Sequence, residues 1–137
     1  MPLRKNAKIE LLKRVPLFRD CSNRELDAIA KIADEIDFRE GKELTREGAA
    51  GREFFVLVEG TAEVTQGKRK LNTLSDGDFF GEISLITRLP RTATVTTVSP
   101  VRALVVTDRS FRRLLETDPR IQRKVLSALG ERLDTPA

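Results

Sequence analysis

The spacing of apolar residues near the N-terminus predicts helices. Apolar positions at helical spacing precede Pro16, which breaks the pattern. The segment SNRE then matches a capping box, with Ser22 at the cap and Glu25 three residues later. Because apolar residues continue at helical spacing, the sequence predicts a helix over about 23–33.

Between Glu35 and Val106 the pattern is that of short strands. The segment EFFVLVEGTAEVTQGKRKLNTL predicts three strands joined by tight turns at Gly60 and Gly67. The segments TATVTTV and VRALVV add two more strands, separated by Ser99 and a proline. Strands at such short intervals predict an antiparallel sandwich or barrel.

Helical spacing returns after Thr107. Asp108 is placed to cap one helix, and Asp118-Pro119 begins a second, since proline is tolerated at the first helical position. The apolar residues of the second helix form one stripe, namely Ile121, Val125, Leu129 and Leu133. Packing against the β core is the favoured interpretation of this stripe, and a lid or a dimer seam are the alternatives.

Composition excludes several classes of site. The chain has no histidine and a single cysteine, Cys21, so an internal disulfide is excluded, and zinc centres and histidine-dependent triads are not expected. No apolar stretch approaches a membrane span, and the N-terminus has no apolar signal core. We therefore expect a cytoplasmic protein that contacts no membrane.

The net charge of +4 permits a nucleic-acid partner. The charges are interleaved, however, and the chain has no Trp or Tyr to stack on bases. A solvated face of mixed charge is therefore favoured over a nucleic-acid patch.

Polar chemistry is concentrated in FFGEISLITRLPRTATV, which spans residues 79–95. Gly81 allows close approach of another group to the backbone. Residues 82–86 predict one helical turn, whose free N–H groups attract anions. Arg91 follows a stiff proline at a strand start, and its guanidinium suits two oxygens of one phosphate. Glu82 suits a neutral donor beside the phosphate, such as a sugar hydroxyl. The alternative is a purely structural Glu82–Arg91 salt bridge.

Two segments, FGEISL from Phe80 and PRTATV from Pro90, resemble the phosphate-binding cassette of the cyclic nucleotide-binding domain. This is the family of the catabolite activator protein, the regulatory subunits of cyclic-AMP-dependent protein kinase and cyclic-nucleotide-gated channels. The likeness extends through LKRVPLFRDCSNRELDAIA, GKELTREGAAGREFFVLVEGTAEV and VTDRSFRRLLETDPRIQRKVLSALGERL, and so covers nearly the whole chain.

The resemblance implies a mainly β fold with flanking helices. It implies an antiparallel, jelly-roll-like β-roll of eight strands with N-terminal helices and two C-terminal helices. We expect one domain over 1–137, with a helical entry at about 6–34, the β-roll at about 35–106 and closing helices at about 108–133. A small single-domain bacterial member is the expectation, since Met1 and the intact helical entry favour a standalone protein over an excised regulatory domain.

The resemblance also implies the ligand, a 3′,5′-cyclic nucleotide, with no cofactor and no metal. Arg91 matches the phosphate-binding arginine, and Glu82 matches the glutamate that takes the ribose 2′-hydroxyl. The other matching cassette positions are Gly81, Ile83, Ser84, Thr92 and Ala93. The positions that match the walls of the base site are Val64, Leu71 and Asn72. The resemblance favours cyclic AMP as the ligand. Because Thr92 matches a threonine that can hydrogen-bond a syn guanine, cyclic GMP is the second candidate.

The implied activity is that of a non-catalytic sensor that relays binding to an unknown protein effector through its flanking helices. Arg132 and Leu133 are candidates for a lid over the base, with a solvated helix end as the alternative. No recognition helix follows Leu133, so direct DNA binding is not expected. A scaffold of the same fold that has lost nucleotide binding is the main alternative. A phosphodiesterase is disfavoured, because histidine is absent.

Overall fold

The computed structural model describes residues 2–87 and 89–134, with four α-helices in that part of the chain. They are α1 (Lys5–Lys13), α2 (Asn23–Lys31), α3 (Asp108–Thr117) and α4 (Pro119–Asp134). Two 3-10 helices, at Pro16–Phe18 and Glu82–Leu85, complete the helical elements. None of the described helices is long and apolar enough to span a membrane.

Eight strands form two four-stranded antiparallel sheets. The first sheet has the order β1-β8-β3-β6 and the second β2-β7-β4-β5. The strands are β1 (Asp34–Phe38), β2 (Glu43–Thr45), β3 (Glu53–Glu59), β4 (Ala62–Gln66), β5 (Arg69–Leu74), β6 (Phe79–Phe80), β7 (Thr94–Thr97) and β8 (Val101–Thr107). The predicted mainly β fold with flanking helices is confirmed.

Strands β3 and β8 are buried on both faces, which explains why their sequences are continuous apolar runs. On β3, Phe54 and Val56 belong to an apolar cluster shared with the helices. Phe55 and Leu57, which alternate with them, belong to a second cluster between the two sheets. The first sheet is therefore a wall with helices on one side and the second sheet on the other.

The predicted helix starts are confirmed in two places and wrong in one. Ser22 and Glu25 form the predicted capping box, and α4 begins at Pro119 as expected. The N-cap of α3 is Thr107, whose hydroxyl accepts a hydrogen bond from Ser110 N at 3.2 Å, so the assignment of Asp108 as the cap is wrong. The helix begins one residue earlier because the threonine leaving β8 already has extended backbone and a suitable oxygen.

The described residues of the α4 stripe pack inward, although mainly on helical neighbours and not directly on the β core that the favoured interpretation named. The side chain of Leu133 lies outside the described residues. Ile121 and Val125 are fully buried, and Ala128 joins them in the cluster shared with the N-terminal helices. The main neighbours of α4 are the first 3-10 helix and α3, so the stripe reaches the sheet through Phe18 and other residues of that cluster.

A partly buried ion pair joins α2 to α4. Lys124 Nζ on α4 lies 2.5 Å from Glu25 Oε1, the same oxygen that caps α2 by accepting from Ser22 N at 2.8 Å. Burial alone would raise the pKa of the Glu25 carboxyl, but the hydrogen bonds from Lys124 and Ser22 outweigh it and hold the pKa below its ordinary value. The pair therefore stabilises the docked position of α4 when Glu25 is ionised.

Replacing Lys124 with Met should lower the free energy of unfolding by about 1–2 kcal/mol at neutral pH, measured by urea denaturation. The methionine keeps the apolar stem but leaves the Glu25 charge buried with one partner fewer. The loss should be complete above about pH 4.5, the ordinary pKa of glutamic acid, and should shrink as the pH falls below that value.

Lys31→Met is the matched control, because Lys31 is exposed and lies 3.4 Å from Asp27 in a surface pair. It should change the free energy of unfolding by less than about 0.5 kcal/mol. Equal losses in the two variants would contradict a special role for the partly buried pair.

Candidate functional site

A cavity of about 390 Å³ lies beside the second 3-10 helix and the start of β7. Its size is within the range of small-molecule sites. Its lining residues are Thr45, Val64, Leu74, Phe80, Gly81, Glu82, Ile83, Ser84, Thr87, Leu89, Pro90, Arg91, Thr92, Ala93 and Val95. Most of them come from the segment 80–93, which leaves the first sheet at β6 and enters the second at β7.

The start of that segment is anchored on β3. Phe80 pairs with Phe55 across the β3–β6 ladder, and their rings stack with centroids 4.8 Å apart. Leu85, at the end of the 3-10 helix, is fully buried in the cluster shared with the helices. The residues between these anchors, including Glu82 and Ser84, are therefore held in a defined place at the cavity wall.

The Arg91 side chain crosses the cavity wall toward β3. Nη1 donates to Ser84 Oγ at 2.8 Å, and Nη2 donates to the carbonyl oxygen of Glu53 at 2.5 Å. The Arg91 backbone is held as well, because its N–H donates to Ala49 O and its carbonyl accepts from Gly48 N, both at 2.8 Å. These bonds fix the guanidinium before any ligand arrives.

Arg91 is positively charged and only partly solvated. Burial lowers the pKa of its guanidinium, while the charges of Glu53 and Glu82 raise it in part. It remains charged at neutral pH, because an arginine pKa lies far above neutrality. A guanidinium has five N–H donors, and its described hydrogen bonds use two of them. Because Arg91 lines the cavity, its guanidinium is the candidate donor to an anion there.

Glu82 is buried, with 5% of its surface exposed, and lines the same cavity. Among the described residues it forms no ion pair with Arg91, so the purely structural salt bridge is not the arrangement found here. The site thus offers a carboxylate acceptor beside a guanidinium donor. That combination fits a ligand with an anionic group next to a hydroxyl.

Two glycines allow the Arg91 side chain to lie where it does. Gly81 has a φ of 83°, and a Cβ there would lie 2.5 Å from Arg91 Nη1 and 2.8 Å from Glu53 O. A Cβ on Gly51 would lie 2.5 Å from Ser84 Oγ and 2.9 Å from Arg91 Nε. Any larger residue at these positions would displace the arginine or its partners.

The structure brings most of the predicted site residues together. Eight of them line the cavity: Val64, Gly81, Glu82, Ile83, Ser84, Arg91, Thr92 and Ala93. Leu71 and Asn72 are exposed on the edge strand β5 and do not line it, so their contact with a base stays a prediction. The side chains of Arg132 and Leu133, the predicted lid, lie outside the described residues.

Several lining residues were missed by sequence reasoning. Thr45 and Leu74 reach the cavity because β2 and β5 belong to one sheet, and their sequences carry no signal beyond strand periodicity. Thr87, Leu89 and Val95 lie inside the segment 79–95 that the sequence analysis had quoted, so their position was a signal that went unused. Within the described part of the chain, no group of His, Cys, Asp or Glu is arranged to hold a metal ion.

Comparison with known proteins decides the family. The sequence profile of the cyclic nucleotide-binding domain matches residues 35–118, which is more than half of the chain. The chain belongs to the cyclic nucleotide-binding domain family. Its second 3-10 helix, Arg91 and Glu82 lie within the matched region.

Similar sequences include kinase subunits of both nucleotide classes. A cAMP-dependent protein kinase regulatory subunit of Mycosarcoma maydis is 39% identical over 77% of this chain and 22% of its own length. The cGMP-dependent protein kinase, isozyme 1, of Drosophila melanogaster is 36% identical over 78% of this chain and 15% of its own length. This chain therefore spans less than a quarter of either protein.

Two solved structures show the same fold. The N-terminal domain of a transcriptional regulator from Streptomyces coelicolor superposes with a TM-score of 0.84 at 26% identity, covering 90% of this chain and 92% of that one. A cyclic nucleotide-binding-like protein from Brucella abortus gives a TM-score of 0.74 at 26% identity, covering 80% and 97%. Both structures thus match four fifths or more of this chain.

Gly81→Ala should destabilise the domain more than Gly48→Ala, as measured by urea denaturation. Both glycines have a φ of 83°, so either alanine incurs left-handed backbone strain of about 1–2 kcal/mol. Only at position 81 does the new Cβ also meet Arg91 and the Glu53 carbonyl, whereas Gly48 has nothing within 4 Å. We expect at least about 1 kcal/mol of additional loss at position 81. Equal losses would show that the contact with Arg91 is easily relieved.

Proposed function

We propose that this domain is a non-catalytic sensor that binds a 3′,5′-cyclic nucleotide in the 390 Å³ cavity, with cyclic AMP as the favoured ligand and cyclic GMP as the second. The observation that carries the proposal is Arg91, a partly desolvated guanidinium that lines the cavity beside the buried carboxylate of Glu82. A cyclic phosphate next to a ribose hydroxyl has the complementary groups.

In this proposal, Arg91 binds the two exocyclic oxygens of the cyclic phosphate. Ser84 keeps the guanidinium oriented, and Glu82 accepts a hydrogen bond from the ribose 2′-hydroxyl. The charge of the ligand compensates the desolvation that lowers the pKa of Arg91, so the bound state is electrostatically favourable. Within the part of the chain that the structure describes, no group of acidic or cysteine side chains is arranged to hold a metal ion.

The purine would lie against the apolar wall formed by Val64, Leu74 and Val95. Thr92, the residue directly after Arg91, also lines the cavity. A threonine hydroxyl there suits the amino group of guanine without excluding adenine. The similarity to both a cAMP-dependent and a cGMP-dependent kinase supports testing the two nucleotides together.

We infer that the signal passes from the cassette to the closing helices. The second 3-10 helix contacts both β3 and α3, and its Leu85 is buried in the cluster that also holds Ile121 of α4. A shift of the 3-10 helix on ligand binding would change the packing of α3 and α4. A protein effector that contacts these helices in the cytoplasm would receive the signal, and the ligand can shift the equilibrium only by its difference in affinity for the two states.

Isothermal titration calorimetry should show binding of cyclic AMP, cyclic GMP or both to the wild-type protein. Arg91→Ala should weaken binding by at least about a hundredfold, because a charge-assisted bidentate contact is lost from a partly buried site. Arg102→Ala is the control, since that arginine pairs with Asp37 on β1 and does not line the cavity. It should leave affinity unchanged.

Absence of binding to both nucleotides by the folded wild-type protein would contradict the sensor and favour the scaffold that has lost nucleotide binding. Equal affinities for wild type and Arg91→Ala would place the ligand elsewhere.

Movement of α4 can be measured by the distance between two spin labels. The single cysteine, Cys21, is buried and would be replaced by Ala, with new cysteines at the exposed positions Ser127 on α4 and Lys68 in the β4–β5 turn. Saturating cyclic AMP should shift the distance distribution beyond its ligand-free width, and the shift should be absent when Arg91→Ala is added. An unchanged distribution in a protein that binds the nucleotide would reject the helix relay and leave the binding function intact.

A further inference from the structure

Leu89 stands out among the large apolar side chains of the described residues. It is 66% exposed, more than Leu126 at 50% or Leu71 at 45%. It is also a lining residue of the cavity, which neither of the other two is. A leucine that is open to solvent and borders a ligand cavity is a different feature from a scattered surface leucine.

The backbone holds Leu89 at the rim of the cavity. On its N-terminal side, Leu85 is fixed in the core with no exposed surface. On its C-terminal side, Pro90 forms a β-bridge with Ala50, and Arg91 is hydrogen-bonded through its backbone to Gly48 and Ala49. Leu89 is therefore followed directly by residues whose backbone is fixed to the segment 48–50.

The rest of the described structure supplies no apolar cover from the closing helices. The described residues of α4 are absent from the cavity lining. Ile121 and Val125 of α4 are instead buried in the apolar cluster shared with the helices. The cavity walls are apolar over much of their surface, but they belong to the sheets and the 3-10 helix. Among the described leucine, isoleucine, valine and phenylalanine side chains that line the cavity, Leu89 is the exposed one.

We propose that Leu89 covers the bound nucleotide and slows its release. The proposal rests on the cyclic nucleotide as ligand of this cavity. In the ligand-free domain the leucine side chain is in water, and on binding it loses apolar surface against the ligand. The contact is thus made only in the complex, and its free energy contributes to affinity rather than to folding.

The contact has a chemical signature that separates it from base recognition. A leucine donates and accepts no hydrogen bond, so it cannot read the exocyclic groups that distinguish adenine from guanine. Removal of the leucine side chain should weaken the binding of cyclic AMP and of cyclic GMP by the same factor. Because the cover acts on a ligand that is already bound, the change should lie mostly in the dissociation rate.

The test is Leu89→Ala in the full chain, with cyclic AMP and a fluorescent cyclic AMP analogue as probes for affinity and release, and cyclic GMP as the second ligand. We expect affinity to fall about fivefold to tenfold for each nucleotide that the wild type binds, with a matching rise in the dissociation rate. Leu89→Met should restore most of the affinity, since it keeps the apolar volume. The midpoint of thermal unfolding without ligand should not change, because Leu89 is exposed.

Leu126→Ala is the matched control, because Leu126 on α4 is also a large exposed leucine and does not line the cavity. It should change affinity by less than about twofold. Wild-type affinity in Leu89→Ala overturns the cover while leaving the sensor intact. A loss confined to one nucleotide overturns the non-selective contact described here. Failure of the wild type to bind either nucleotide overturns both this proposal and the proposed function.

Discussion

The burial of β3 on both faces is the constraint on which the rest of the structure depends. Phe54 and Val56 pack against the helices, while Phe55 and Leu57 pack between the sheets. Since side chains on a strand alternate, a shift of one residue would exchange the two sets and disrupt both clusters. The strand therefore has a single permitted register, which also fixes the position of the groups that are hydrogen-bonded to it.

The start of β3 carries two such attachments. The carbonyl oxygen of Glu53 accepts from Arg91, and the carbonyl oxygen of the preceding Arg52 accepts from Asp108 N at the beginning of α3. The anion-binding arginine and the first closing helix are thus held by adjacent peptide groups of one rigid strand. This arrangement gives a short physical connection between the cavity and the helices without a separate linker element.

The elements with local signals could be predicted from the sequence. The capping box at Ser22, the glycine turns and the apolar runs each arise from neighbouring residues, and the cassette around Glu82 and Arg91 was identified by its order of residues. Features set by distant partners could not be predicted in the same way. Lys124 completes a cap 99 residues away, and Gly51 is required by the path of an arginine side chain.

The exposed edge strand β5 contains another feature that could not be predicted from the sequence, and it concerns a single residue. Val64 pairs with Asn72 and Thr65 with Lys70, so the register shifts and Leu71 is left between the paired positions. Periodicity cannot locate such an irregularity, because an inserted residue changes which side chains face the cavity. Leu74, beyond the shift, lines the cavity, whereas the contact of Leu71 and Asn72 with a base stays a prediction.

The apolar cluster shared with the helices determines which residues are needed for the domain to fold on its own. Most of its members lie before residue 35 or after residue 118, outside the region that the family profile matches. A fragment cut to the profile limits would retain Arg91 and Glu82 but would expose the helix-facing side of β3 and β8 to water.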